Sequence, residues 1–374
     1  MSSSSCEKVS SAELIQARNL IWNVSLGHVK SMALKCAIDL GIPDIIHNYG
    51  GESIPLSKLI ESLPVHPSKA QCVPRLMRIL VHLGFFETTK KHPDQQQQEG
   101  EGEEEEEEEE YSLNVASRLL LDESPFIISM KPLVAHFLTP KFVASWDSLS
   151  TWFGNSDASL LETVDGSTFY DFFEHNPKNR HNFYEAMSND SKLIAHVGLK
   201  DCKEIFEGLK SLVDVGGGTG TMAKAITDIF PHIHCTVFDL PHVIADLQGT
   251  EKLNFVGGDM FSDPIPHADA ILFKWILHNW SEQECLAILK KCRDALSSSG
   301  KGGKVIIIEM VLGNPINMNK ESYELQLTND MTMMAMSGKE RTIIEWKKLF
   351  KDAGFSHSKI TPILGEKSVI EVFP

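Results

Sequence analysis

Leu212-Val213-Asp214-Val215-Gly216-Gly217-Gly218-Thr219-Gly220 reads as a short buried β-strand running straight into a glycine-rich turn. The Met222-Ala223-Lys224-Ala225-Ile226 run after it has the composition of a helix. Glycines let the backbone take positive φ and let a ligand approach the main chain closely. The amides that open the next helix then face that ligand. Nineteen residues beyond Gly220, at the end of the apolar run Cys235-Thr236-Val237-Phe238, stands Asp239. An acid at the tip of the second strand is where a doubly wound fold holds a ribose through its hydroxyls. The stretch therefore predicts an α/β, Rossmann-like sheet with a nucleoside-containing cofactor. It does not choose the cofactor. Counted from Gly216 the turn fails GxGxxG, because position 221 is Thr, but Gly218, Gly220 and Ala223 fit GxGxxA. A dinucleotide stays open on this segment.

A length of 374 residues allows two domains and a sizeable core. With 42% hydrophobic and 23% charged residues, the composition is that of a soluble globular protein. The formal charge of -16 is unevenly placed: Asp94, Glu99, Glu101 and the run 103–110 carry eleven negative charges, which leaves the body at -5. That tract, with Gln95 to Gln98, is low-complexity and self-repelling, and 90–110 is expected to be a disordered acidic insertion in a surface loop. Seven cysteines are scattered without a CxxC pair, which predicts free thiols in a reducing compartment. Cys285 and Cys292 fall seven apart on one helix, as core residues do. The polar N-terminus does not read as a signal peptide, and no apolar run approaches the ~18 residues that cross a bilayer. A cytoplasmic protein with no membrane partner is the expectation.

Along the chain, 12–50 reads as helical. Val73-Pro74-Arg75-Leu76-Met77-Arg78-Ile79-Leu80-Val81-His82-Leu83 is an amphipathic helix stopped by Gly84. Phe85-Phe86-Glu87-Thr88 and Tyr111-Ser112-Leu113 form a strand pair with the acidic tract as its overlong turn. Helices followed by a two-stranded wing suggest a winged-helix module. A DNA reader needs a basic patch, yet here Arg75 and Arg78 are set against a polyanion on the wing. A helical dimerisation domain is the expected role, with no nucleic-acid partner. Residues 115–195 read as all-helical and rich in aromatics, most of them core. From Ser211 onward, strands are predicted at 211–215, 235–239, 253–256, 269–274, 304–309 and 369–373, with helices between most of them.

Four further pieces carry chemistry. Gly257-Gly258-Asp259-Met260 ends the third strand with a carboxylate and a soft apolar side chain, a combination an adenine could use. Ala270-Ile271-Leu272-Phe273-Lys274 opens into Trp275-Ile276-Leu277-His278-Asn279-Trp280. Val305-Ile306-Ile307-Ile308-Glu309 places a carboxylate at the end of a fifth strand. Gly338-Lys339-Glu340-Arg341-Thr342 offers another acid in a turn before a helix. Ligands of open α/β sheets bind at the carboxyl ends of the strands, so His278, Glu309 and Glu340 are expected to converge.

The run DVGGGTG…FDLPHV…GGDMF…KWILHNW…GKER resembles the plant S-adenosylmethionine-dependent O-methyltransferases acting on small phenolics. The resemblance covers nearly the whole chain and is closer to the isoflavone and stilbene branch than to the caffeic acid branch. It implies S-adenosylmethionine rather than NAD, and a Rossmann-like methyltransferase domain with a mostly helical, winged-helix N-terminal dimerisation domain. On that basis 1–120 is the dimerisation domain, 121–200 a helical region lining the substrate pocket, and 201–374 the catalytic domain. Gly216, Asp239, Leu240, Asp259, Met260 and Lys274 would hold the cofactor. His278 would be the general base, flanked by Glu309 and Glu340, in a homodimer. Phe183, Met187 and Met331 look similar to family pocket positions. Two departures matter. Asn279 stands where the family often has Asp, and as a neutral amide it adds no charge. In Met333-Met334-Ala335-Met336, Ala335 replaces the polar Asn of the caffeic acid branch, and methionine surfaces are apolar and adaptable. The first should alter recognition of a substrate hydroxyl more than base strength, and the second, with Phe183, Met187 and Met331, suggests a flat, polycyclic phenolic substrate with few polar handles. No ligand cluster with metal spacing is visible, so no metal is expected. Two other readings are a methyltransferase acting on nitrogen or on a phenolic alkaloid, which should need a pocket acid, and a non-catalytic dimeric binding protein, which would not need His278, Glu309 and Glu340 together.

Overall fold

The structure is a computed structural model that describes residues 9–89, 108–123, 126, 128–168, 172, 176–199, 202–297, 303–313, 319–363 and 365–374. Most of the acidic insertion lies outside the described residues. The chain divides into two compact units between Leu138 and Thr139.

The first unit is helical, with principal helices α1 (Ser11–Ser25), α2 (Gly27–Asp39), α3 (Ile42–Asn48), α4 (Leu56–Ser62) and α5 (Val73–His82). In α5 the apolar spacing puts Val73, Met77 and Leu80 on one buried face, and Gly84 follows at φ 81°. The expected strand pair forms as β2 (Phe86–Thr88) against β3 (Glu110–Leu113). A third strand not foreseen, β1 (Ile54–Pro55), pairs Ile54 with Tyr111. Two residues are too short a run to show a strand period. Helix α1 begins with a Ser10–Glu13 capping box but buries none of its residues. Leu14, Ile15, Leu20, Ile21 and Trp22 are 56–66% exposed.

The second unit is built on a sheet ordered β10-β11-β8-β7-β4-β5-β6, where β4 is Ser211–Val215, β5 His234–Asp239, β6 Leu253–Gly257, β7 Ala270–Lys274, β8 Lys304–Leu312, β10 His357–Ile363 and β11 Lys367–Phe373. A two-residue strand β9 (Arg341–Thr342) pairs with the end of β8. Strands β4 to β8 run parallel, and β11 and β10 close the sheet antiparallel. Both faces are covered, as a parallel sheet requires. In β8, Val305, Ile307 and Val311 enter one core while Ile306 and Ile308 enter the other. The sequence pattern missed β10. Its polar start and Pro362 suit only an edge strand, which is its place. The other principal helices are α6 (Pro177–Ile194), α7 (Thr221–Ile229), α8 (Glu282–Ser297), α9 (Lys320–Ala335) and α10 (Ile343–Asp352). Cys285 and Cys292 are fully buried on α8. No described helix is long and apolar enough to cross a membrane. The chain leaves β4 toward β5 on one side and returns through β7 on the other, so the crevice opens at the carboxyl end of β4.

Candidate active site

The glycine turn sits at that crevice. Gly216 and Gly218 have φ of 69° and 56°, and Gly220 begins α7 at φ 75°. A methyl group on Gly217 would lie 2.7 Å from the Asp214 carboxylate, so this position has to stay bare. The amide of Gly218 donates to Asp239 Oδ2 at 2.8 Å, and the amide of Leu240 to Oδ1 at 2.7 Å. These bonds fix the carboxylate at the strand tip. Asp259 caps the next loop by accepting from the Phe261 amide at 2.8 Å.

A cavity of about 480 Å³ opens here. Gly216, Asp239, Leu240, Asp259, Met260 and Lys274 all line it, and so do Phe183, Met187 and Asn279. Met331 is not among the lining residues and is 40% exposed on α9. Met333 and Ala335 belong to the last turn of α9 and are buried. The cavity carries Asp214, Asp239 and Asp259 against Lys274 and His242. Asp214 Oδ2 is buried and unpartnered among the described residues. Burial pushes this carboxyl up to about 7, with the Lys274 charge opposing and the Asp239 charge adding. Burial also raises Asp239, partly offset by its two amide donors. Such a lining offers acids to pair with a cationic group, an ammonium or a sulfonium, and S-adenosylmethionine fits it.

Beside the cavity, His278, Glu309 and Glu340 come together from a 3₁₀ turn, β8 and the loop before β9, all three buried. The two acids have different tasks. Glu340 Oε1 lies 2.8 Å from His278 Nδ1 and also accepts from Asn329 Nδ2 at 2.7 Å. Glu309 instead accepts the backbone amides of Ile276, Leu277 and His278 on one oxygen, at 3.1, 2.7 and 3.3 Å. It holds the turn that carries the histidine. Burial disfavours charge on His278, but the hydrogen bond and charge of Glu340 and the charge of Glu309 outweigh it, and the net shift is upward. Burial raises Glu309 as well. Arg341, 1% exposed, donates to the carbonyls of Leu277 and Trp280 at 2.9 and 2.8 Å and closes the turn from below.

Asp214, Asn329 and Arg341 had been given no role from sequence. Asp214 and Arg341 lie inside the quoted motifs, so a hydrogen-bond inventory of DVGGGTG and GKER could have raised them. Asn329 carries no sequence signal at all.

Residues 146–356 match the O-methyltransferase domain family, and residues 22–123 match the O-methyltransferase dimerisation domain. Trans-resveratrol di-O-methyltransferase of Vitis vinifera is 52% identical over 368 residues, 98% of each chain. Probable O-methyltransferase 3 of Humulus lupulus is 51% identical over 366 residues, 97% of this chain and 94% of that one. In fold, the chain is similar to human N-acetylserotonin methyltransferase in complex with SAM (TM-score 0.76, 20% identity, 98% and 99% of the two chains covered). A cavity lined by three aspartates on a Rossmann-like sheet, set beside a carboxylate-held histidine, is thus found in a chain that belongs to the S-adenosylmethionine-dependent O-methyltransferase family of plant phenolic metabolism.

Proposed function

We propose that this enzyme methylates a phenolic hydroxyl of a flat aromatic plant metabolite (an isoflavonoid, flavonoid, stilbene or phenylpropanoid), with His278 as general base. The observation that carries the reading is the His278–Glu340 pair, 2.8 Å apart beside the cavity. When bound, S-adenosylmethionine supplies an electrophilic methyl group on a sulfonium. Asp239, Leu240, Asp259 and Met260 would hold its adenosine half, and Gly216, Asp214 and Lys274 its amino-acid half. Glu340 accepts the hydrogen bond of Nδ1–H and so leaves Nε2 unprotonated as the acceptor of the phenol proton. A phenol near pKa ~10 and an ordinary imidazole near ~6.5 differ by roughly 5 kcal/mol. The upward shift of His278 narrows that gap. General-base catalysis contributes about 10²–10⁴-fold, and positioning of the reactants supplies much of the rest.

Phe183, Met187, Trp275, Ile276 and Trp280 give the cavity an apolar side suited to a flat ring system. Asn279 Nδ2 donates to the Trp275 carbonyl at 3.1 Å, which leaves Oδ1 as a neutral acceptor for a second hydroxyl. A cationic alkaloid gains no charge pairing from that group. The similarity to a resveratrol methyltransferase supports the same class.

His278, Glu309 and Glu340 also bring possible ligand atoms within 4.8 Å of one another. One oxygen of each glutamate is committed, Glu340 Oε1 to His278 Nδ1 and Glu309 Oε1 to three backbone amides, while Glu309 Oε2 and Glu340 Oε2 have no hydrogen-bond partner among the described residues, so a chelator arm is part of the test. Transfer from labelled S-adenosylmethionine to a panel of these phenols and phenolic alkaloids is expected to label one of the four phenol classes, equally in excess chelator. Label on alkaloids alone would overturn the substrate class. Activity lost to chelator and restored by magnesium would overturn the metal-free mechanism.

We also propose that the enzyme works as a homodimer. The dimerisation-domain match and the exposed apolar residues of α1 support it. Sedimentation as two chains is the expected result, and a single-chain species at micromolar concentration would refute it.

A further inference from the structure

Behind the cavity wall lies a buried charge cluster of which the mechanism above uses only Lys274. Asp190 is on α6, three residues beyond the cavity-lining Met187. Its Oδ2 accepts from Lys274 Nζ at 2.9 Å and from the Trp275 indole at 2.7 Å, and its Oδ1 faces Lys367 Nζ at 3.2 Å. The side chains of Asp190, Lys274 and Lys367 are 13%, 6% and 6% exposed. Lys367, at the start of β11, also pairs with Glu366 at 2.7 Å and sits 5.0 Å from the centre of the Trp275 ring. The backbone makes this cluster consequential. Trp275 takes φ 58°, a conformation that costs a non-glycine residue ~1–2 kcal/mol. That bend turns the chain from β7 into the His278 turn, and the Trp275 ring lies 4.8 Å from the His278 ring. One carboxylate thus grips both a lysine that lines the cofactor cavity and the bent residue packed on the histidine.

We propose that Asp190 is a positioning residue of the methyl transfer: it aims Lys274 at the cofactor and locks the Trp275 bend behind His278, with Lys367 completing its charge balance. This rests on the reading that Lys274 contacts the cofactor and His278 is the base. Asp190→Asn keeps an acceptor for the indole but leaves Lys274 and Lys367 as two buried cations with only Glu366 paired to Lys367 and the Asp214 carboxyl near Lys274. Lys367→Met added to it removes the surplus cation.

The test uses the full chain, with S-adenosylhomocysteine binding by calorimetry, kcat at saturating cofactor, and thermal melting. Asp190→Asn is expected to weaken S-adenosylhomocysteine about tenfold and to lower kcat about tenfold even when the cofactor site is saturated, the size expected of coupled neighbours. The Asp190→Asn/Lys367→Met double variant recovers most of both. Wild-type binding and kcat in a folded Asp190→Asn variant would overturn the proposal. If that variant does not fold, Lys367→Met alone decides, through a change in S-adenosylhomocysteine affinity or none. Lys274→Met separates this failure from that of the parent reading. Wild-type S-adenosylhomocysteine affinity there would remove Lys274 from the cofactor site. Impaired binding there, with Asp190→Asn and Lys367→Met both normal, would remove Asp190 alone.

Discussion

His278→Gln is expected to lower kcat by about 10²–10⁴-fold while S-adenosylhomocysteine binds as in the wild type. The glutamine amide fills much of the imidazole space but cannot take a proton at neutral pH. The loss should therefore fall on the chemical step and spare the cofactor cavity, whose lining does not include residue 278. Turnover within about tenfold of wild type would sink the general-base reading, because that step would then carry almost none of the expected factor. The pH dependence follows from the raised pKa of His278. A base must be neutral to act, so kcat rises as pH passes upward through that pKa. Stability runs the other way. The folded pKa lies above the unfolded value near ~6.5, so the ion pair with Glu340 stabilises fully below the unfolded value and fades as pH rises through the folded one. Melting temperatures of wild type and His278→Gln should differ most at acid pH and converge as pH rises. A gap that is constant across this range would contradict the shift.

How far such a site can be read from sequence depends on whether its parts are set by local pattern. The strand–turn–helix around Gly216 and the acid at Asp239 are local, since period, glycine and strand-end position are all written within thirty residues. Their partners on β6 and β7 were legible for the same reason, and the parallel core followed from runs such as Val305 to Ile308. The division of labour between Glu309 and Glu340 was not. Which carboxylate meets the imidazole depends on the register of β8 against β7 and on the loop that returns from α9, and neither leaves a periodic signal. Asp190 was invisible for a further reason. Its partners Lys274 and Lys367 are 84 and 177 positions away in the chain, and no local pattern links either of them to it. Met331, expected by likeness to line the pocket, is 40% exposed on α9 and is not among the residues lining the cavity. Strand β10 escaped because an edge strand is the one place where proline and polar residues are tolerated.

The two glutamates should fail in different ways. Glu309→Ala removes the acceptor of three backbone amides around Leu277 and His278. Each buried donor left without a partner costs about 1–3 kcal/mol, so several kcal/mol are lost from a total stability of roughly 5–15 kcal/mol. A large fall in melting temperature, or failure to fold, is the expected result. Glu309→Gln keeps a carbonyl oxygen for the same amides and should fold, with a modest loss of activity because it also removes a charge that raises the His278 pKa. Glu340→Gln can still accept from Nδ1, so the ring stays oriented, but the imidazolium loses the anion that stabilises it. There kcat should drop about 10²-fold, an effect between an oriented and an unoriented base. Melting should fall most at acid pH and less as pH rises, and the acid limb of the kcat profile should move to lower pH. The sign is fixed by the same logic: a weaker base is neutral at lower pH and takes the proton less well. If Glu309→Gln and Glu340→Gln proved equal in kcat and in the direction and size of the limb shift, the separation of tasks would be wrong. Both carboxylates would then act on the imidazole through charge alone. The three amides on Glu309 argue against that outcome, because a carboxylate already accepting three donors on one oxygen has that oxygen committed to the backbone.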